Sequence, residues 1–180
     1  VTAADDDGDQ LTYFVDGEDQ SSVSIGINSG ILEFNSASDF EEKNFYSIDI
    51  SVSDGENEVT QSVLVNINNI NDAPSFNEWF GDDGQQIQGP NFQSDENNDG
   101  IFGEFRPSDQ DGDEMIFSVS GSEIEVSNYD KLRWVNPPDY EAKAFYEAVL
   151  TISDGDLSTS QSITVTIRDI DDTAPNFTSS

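Results

Sequence analysis

The sequence predicts an all-β chain folded as two tandem Greek-key β-sandwiches, the first truncated at its N-terminus. Three observations predict it: short runs of alternating apolar and polar residues, Asp-Gly turns between the runs, and a second copy of the pattern about one hundred residues on. DFEEKNFY at 39–46 returns as DYEAKAFY at 139–146. SVSDG at 51–55 returns as TISDG at 151–155, and QSVLVNINNIND at 61–72 as QSITVTIRDIDD at 161–172. Upstream, ADDDGDQLTYFV at 4–15 matches SDQDGDEMIFSV at 108–119, so the first copy carries four extra residues between these landmarks. Loops of different length in two copies of one unit produce such a shift.

In chain order, the first copy starts close to its DxD stretch, with four residues before Asp5. In the second copy SDENNDGIFGEF at 94–105 precedes that stretch and is expected to supply an opening strand or two. The expectation is therefore an excerpt of a longer array, cut inside or just before its first module. Next, Trp134 shares strand parity with Leu132, as Phe34 does with Leu32, which marks Trp134 as core. Tyr46, Ile48, Ile50 and Val52 then alternate with polar residues at the strand period of two, as do Tyr146, Ala148, Leu150 and Ile152. DGEN at 54–57 and DGDL at 154–157 supply hairpin turns. The following strand turns Val63, Val65 and Ile67 inward, echoed by Ile163, Val165 and Ile167. Two modules are expected, at 1–74 (lacking its opening strand) and 75–180, each near the size of a small sandwich.

Composition narrows the chemistry. The 34% apolar content, with 12 Phe, 5 Tyr and 2 Trp, is enough for two small cores and too rich for a disordered acidic tail. Without Cys or His there is no disulfide, no thiolate or imidazole metal site and no Ser-His-Asp chemistry. No run of about 18 apolar residues is present, so no membrane insertion is expected within this chain. The 38 acidic against 6 basic residues give a formal charge of −32, which excludes nucleic acid and anionic lipid as natural partners. A compact body with that charge repels itself. High salt relieves the repulsion on a halophilic or marine surface; bound divalent cations relieve it at specific sites.

Position separates the two. A halophilic surface would spread acid along the strands, whereas here Ser and Thr occupy the outer strand faces. The acids recur at loop positions: Asp5/Asp7 with Asp109/Asp111, Asp39/Glu41 with Asp139/Glu141, Asp54 with Asp154, and Asp72 with Asp169/Asp172. Carboxylates on loops at one end of a sandwich can converge on a hard cation such as Ca²⁺, which takes roughly six to eight oxygen ligands.

These motifs resemble a pair of cadherin-type repeats, in a bacterial style at the NDAP linker. Asp39-Phe40-Glu41 and Asp139-Tyr140-Glu141 resemble the DRE/DYE motif, and Asp5-Asp6-Asp7 and Asp109-Gln110-Asp111 the DxD motif. Ser53-Asp54-Gly55 and Ser153-Asp154-Gly155 resemble AxDxG, and Asp95-Glu96-Asn97 the PEN motif. The run from Asp169 to Phe177 follows the DxNDNxPxF linker; Asn69 to Phe76 follows it one residue short, with Asn at the first Asp position. The resemblance implies a cadherin/immunoglobulin-like fold and Ca²⁺ where consecutive modules meet. Asp39, Glu41, Asn69, Asn71 and Asp72 would serve from the first module and linker, with Asp109, Asp111 and Asp154 from the second. Glu96, Asp139, Glu141, Asp169 and Asp172 would form a half-site toward a third module, and Asp5, Asp7 and Asp54 one toward a preceding module. It implies a secreted or cell-surface adhesion or spacer module, binding other cadherin-like modules homophilically or heterophilically, and not an enzyme.

Other readings compete. The Pro74–Glu96 span is several residues longer than the family's usual one. It carries Trp79-Phe80, which either packs on the core or forms an exposed aromatic loop. The exposed form would suit a carbohydrate-binding module pair of a secreted bacterial polysaccharide-active or matrix protein. DENNDG at 95–100 begins like an EF-hand loop, but position twelve is Arg106; a local loop from Asp95, Asn97 and Asp99 is the residual form. Asn176-Phe177-Thr178 is a glycosylation sequon that chance explains. A glycosidase pair needs two carboxylates in one cleft, not large groups repeated in both modules. A metal-free immunoglobulin or fibronectin-type tandem would not cluster its acids on loops.

Overall fold

The computed structural model describes residues 1–175, so the sequon and the last two residues of the second linker pattern lie outside it. The chain separates into two compact units, Val1–Ile70 and Asn71–Ser180. The division falls before Asn71 because the linker bonds into the second unit. Asn71 Nδ2 donates to Asp154 Oδ2 at 2.9 Å, and the Asp72 N–H to Asp111 Oδ2 at 2.7 Å.

The first unit runs β1 (Thr12–Asp16), a 3₁₀ turn (Gln20–Ser22), β2 (Val23–Ile25), β3 (Leu32–Phe34), β4 (Phe45–Ser53) and β5 (Glu58–Asn66). Strands β1, β4 and β5 form one antiparallel sheet in that order, and β2 pairs with β3. In the β4–β5 hairpin Ile48 faces Val63 and Tyr46 faces Val65, as the period of two requires. Val23, Ile48 and Ile50 are buried, with Leu32, Val63 and Val65 packed against them.

The second unit adds strands before the matching set: β6 (Ser75–Gly81), β7 (Gln86–Ile87), β8 (Asn91–Asp95) and β9 (Ile101–Ser108). There follow β10 (Ile116–Val119), β11 (Ile124–Ser127), β12 (Lys131–Trp134), β13 (Phe145–Ser153) and β14 (Ser158–Arg168). One sheet has the order β10-β13-β14-β8, with β8 parallel to β14; the other has the order β11-β12-β9-β6-β7. The chain changes sheet between β7 and β8, β8 and β9, β9 and β10, β10 and β11, and β12 and β13, the Greek-key style of a sandwich.

Aromatic rings fill this core. Phe102 lies 4.6 Å from Trp134, Trp134 lies 4.8 Å from Tyr146, and Trp134 Nε1 donates to the buried Ser94 hydroxyl at 3.0 Å. At Gly103 a Cβ would meet the Phe92 ring at 2.5 Å, so the strand passes that ring only as glycine. Trp79 sits on β6 at 8% exposure, stacked 5.1 Å from Phe76, so it packs on the core and forms no exposed loop.

The two cores differ in how completely they are enclosed. Ile163, Val165 and Ile167 are buried in a cluster with Phe92 of β8 and with Trp79, Phe102 and Phe105 of the other sheet, whereas Val63, Val65 and Ile67 are only half-buried. Phe34, at the position matching Trp134, is 37% exposed, because no described residues of the first unit form counterparts of β8 and β9, whose Ser94 and Phe102 meet Trp134. The Val1 amine donates to Gly30 O at 2.8 Å, and the Phe105 N–H makes the matching bond to Asp130 O at 3.0 Å. The first residues of the chain therefore stand where β9 ends in the second unit.

Candidate metal centre

At one end of the second unit the β9–β10 connection folds around Asp109. Its Oδ1 accepts the N–H of Asp111 at 3.0 Å and of Asp113 at 3.2 Å, a turn that Gly112 permits at φ +77°. Its Oδ2 is buried with no hydrogen-bond partner. Asp109, Asp111 and Asp113 bring one carboxylate oxygen each within 4.8 Å of one another. Desolvation, then the charges of Asp109, Asp111, Asp154 and Asp156, raise the Asp113 carboxyl above its ordinary pKa. Asp154 moves the other way: the Leu157 N–H, then Asn71 Nδ2 and the Asp156 N–H, outweigh desolvation and hold it low. That fixes Asp154 as an anion, with one oxygen on its own turn and the other on the linker.

The opposite end is organised by Glu96, which is only 2% exposed. Its Oε2 accepts the Tyr140 N–H at 3.0 Å, its Oε1 the Ile170 N–H at 2.6 Å, and its own N–H donates to Arg168 O. Glu96, Glu141 and Asp169 form a second group within 4.8 Å. A backbone hydrogen bond pulls the Glu141 carboxyl down, but desolvation and the charges of Glu96, Asp169 and Asp172 outweigh it and leave it raised. Asp172 is held by Asn97 Nδ2 at 2.7 Å. Asp139 turns to its own loop, where Oδ1 accepts the Ala142 N–H. The calcium loop read from Asp95, Asn97 and Asp99 does not converge: Arg168 Nε holds Asp95 at 2.6 Å and Asn97 serves Asp172.

The first unit repeats these turns. Asp5 Oδ1 accepts the N–H of Asp7 and Asp9, and Asp54 Oδ1 those of Glu56 and Asn57. The backbone bonds from Asn57 and Glu56 lower the Asp54 carboxyl. Asp5 and Asp54 line one cleft with Leu11 and Val52. Asp39 Oδ1 accepts the N–H of Glu41 and Glu42; Glu41 and Asn69 are exposed. Asp113 is the acid that motif matching left out. Its signal was available, because Asp9 occupies the matching position in the first copy.

The carboxylates that Lys43, Arg106, Lys131, Arg133, Lys143 and Arg168 hold are Asp19, Glu104, Asp130, Glu125, Glu123, Asp82 and Asp95. An all-oxygen donor set, crowded negative charge and the orphaned Asp109 Oδ2 fit a hard divalent cation of the Ca²⁺ kind.

The sandwich pair and its acidic ends define the class: the chain is similar to cadherin extracellular repeats throughout its length. No family model matches it. Human protocadherin gamma-A2 is 30% identical over 98% of this chain and 20% of the relative. Mouse protocadherin-15 is 26% identical over the whole chain and 10% of the relative. The chain thus spans a tenth to a fifth of the length of these curated relatives. The crystal structure of human protocadherin-24 EC1-2 superposes with a TM-score of 0.66 at 20% identity, covering 94% of this chain and 87% of that one. The relatives named are animal proteins and lend no support to a bacterial style.

Proposed function

We propose that the chain is an extracellular, calcium-dependent adhesion or spacer module, in which Ca²⁺ at the acidic ends of the sandwiches stiffens the joints between consecutive repeats. Asp72, Asp109, Asp111, Asp113 and Asp154, with Asn71, serve one end of the second unit. Glu96, Glu141, Asp169 and Asp172 serve the other. Asp39, Glu41 and Asn69 are assigned from the cadherin pattern, as are Asp139, Asp5, Asp7 and Asp54. The observation that carries the reading is the buried Asp109 Oδ2, which has no donor and stands among carboxylates that repel one another. Such a group is costly when bare and stable around a divalent ion. Linker residues Asn71 and Asp72 bond to Asp154 and Asp111, so an ion that orders those acids also orders the linker.

Without calcium the acids repel and the joint loosens; with it, the repulsion becomes shared ligation. Adhesion would then run through modules of the same kind, homophilic or heterophilic. The polysaccharide reading loses its platform, since the Trp79 ring lies in the core. Calcium calorimetry on wild type and Asp111→Asn tests the proposal. Dissociation constants on the order of 10⁻⁴–10⁻³ M or tighter are expected, with a site lost in the variant. Absence of any calcium heat in the wild type would refute it.

A further inference from the structure

The repeated octamer contains a lysine that ligation does not explain. Only 6 of the 180 residues are basic, yet two of them, Lys43 and Lys143, stand at this one position. Each lies two residues after a glutamate of the acid motif. A cation beside a calcium site opposes calcium electrostatically, so its presence in both copies calls for another role.

The contacts supply one. The Lys143 N–H donates to Asp139 O at 2.9 Å and closes the turn that carries Asp139 and Glu141. Its Nζ lies 4.1 Å from the centroid of the Tyr146 ring and 3.3 Å from Glu123 Oε1. Glu123 precedes β11 in the five-stranded sheet, while Tyr146 belongs to β13 in the four-stranded one. In the first unit the Lys43 N–H donates to Asp39 O at 2.9 Å, its Nζ lies 5.2 Å from the Tyr46 ring centroid, and its ion pair is with Asp19. Asp19 and Glu123 are 104 positions apart, the offset that aligns the upstream halves. The acid has changed length between copies while the pairing has been kept.

We propose that Lys143, and Lys43 in the first unit, is a positioning residue for the calcium-binding carboxylates. It ties the turn bearing the acid motif to the facing sheet through Glu123 or Asp19, and braces it on the tyrosine ring. The proposal rests on the calcium reading above. An untethered turn must be ordered when the ion binds, and that ordering weakens affinity.

The test is a calcium titration of the full chain, followed at the amide resonances of Tyr140 and Ile170. Both amides bond to Glu96 and report on this end of the second unit. Lys143→Met removes a positive charge and Glu123→Gln removes a negative one, so their direct electrostatic effects on calcium are opposite in sign. Loss of the tether predicts that both weaken binding, by about two- to fivefold, in keeping with an exposed ion pair and its ring contact. Lys143→Arg, which keeps the charge and stacks on aromatic rings, should restore affinity to within about twofold. The calcium-free chains should melt alike, because an exposed ion pair adds little stability. Affinity unchanged or tighter in Lys143→Met would overturn the positioning role while leaving calcium binding intact. A wild type that takes up no calcium would overturn the reading beneath it.

Discussion

The backbone N–H of Ile170 donates to the buried carboxylate of Glu96 at 2.6 Å, so a side chain at the end of β8 holds the chain where it leaves β14. The other Glu96 oxygen holds Tyr140 beside the acid motif. One carboxylate therefore joins three segments before any ion arrives. Glu96→Gln turns an amide nitrogen toward one of two N–H donors. Leaving that donor unpaired should cost about 1–3 kcal/mol in denaturant unfolding without calcium. A loss under about 0.5 kcal/mol, the range of an ordinary surface substitution, would show that the bonds are dispensable.

Calcium should raise the melting temperature and a chelator should lower it. At a hundredfold excess over the dissociation constant each independent site adds about 2.7 kcal/mol, a sizeable share of a small domain's stability. Superimposable melting curves with and without calcium would rule out sites that bind only the folded chain.

Asp113→Asn should stabilise the calcium-free chain and weaken calcium binding. Desolvation, then its acidic neighbours, raise the Asp113 carboxyl, so the folded state binds its proton more tightly than the unfolded state. Its contribution therefore falls as pH rises above the ordinary 3.8 and through the raised value. Asparagine stays neutral and removes that decline. Urea unfolding of both chains between pH 4 and pH 7, free of metal, measures the difference in slope.

The Asp19 carboxyl, paired with Lys43, should act in the opposite sense. Hydrogen bonds from Lys43 and then the Ser47 N–H lower the Asp19 carboxyl, so its contribution is complete above 3.8 and is lost as pH falls through the lowered value. Lys43 is raised, chiefly by Asp19, so its contribution is complete below 10.5 and fades as pH rises through the raised value. Asp19→Asn should flatten the acid limb at the Ser47 amide, read by hydrogen exchange. An acid limb as steep as the wild type's would place the lost protons elsewhere.

Trp134→Ala should cost about 3–5 kcal/mol, because the ring is fully enclosed and its Nε1 satisfies Ser94. Phe34→Ala, at the matching place in the first unit but 37% exposed, should cost well under half as much. Paired denaturant curves for the two variants check the ratio.

The repeat, the strands, the hairpin turns and most of the acids were legible in the chain, because each depends on neighbours a few residues apart. Alternation gave the inward faces of β4 and β13, and the SDG turns placed Asp54 and Asp154 where backbone N–H groups fix them. Folding across distance decided the rest. Trp79 became core because β6 pairs with β9, and Ile167 is buried where Ile67 is not because it joins the cluster that residues of β6, β8 and β9 complete. Glu96 became an organiser and Lys143 a tether only when segments 44 and 20 residues away came alongside. Periodicity records which way a side chain faces; what it meets there depends on which distant strand arrives, and no local pattern encodes that.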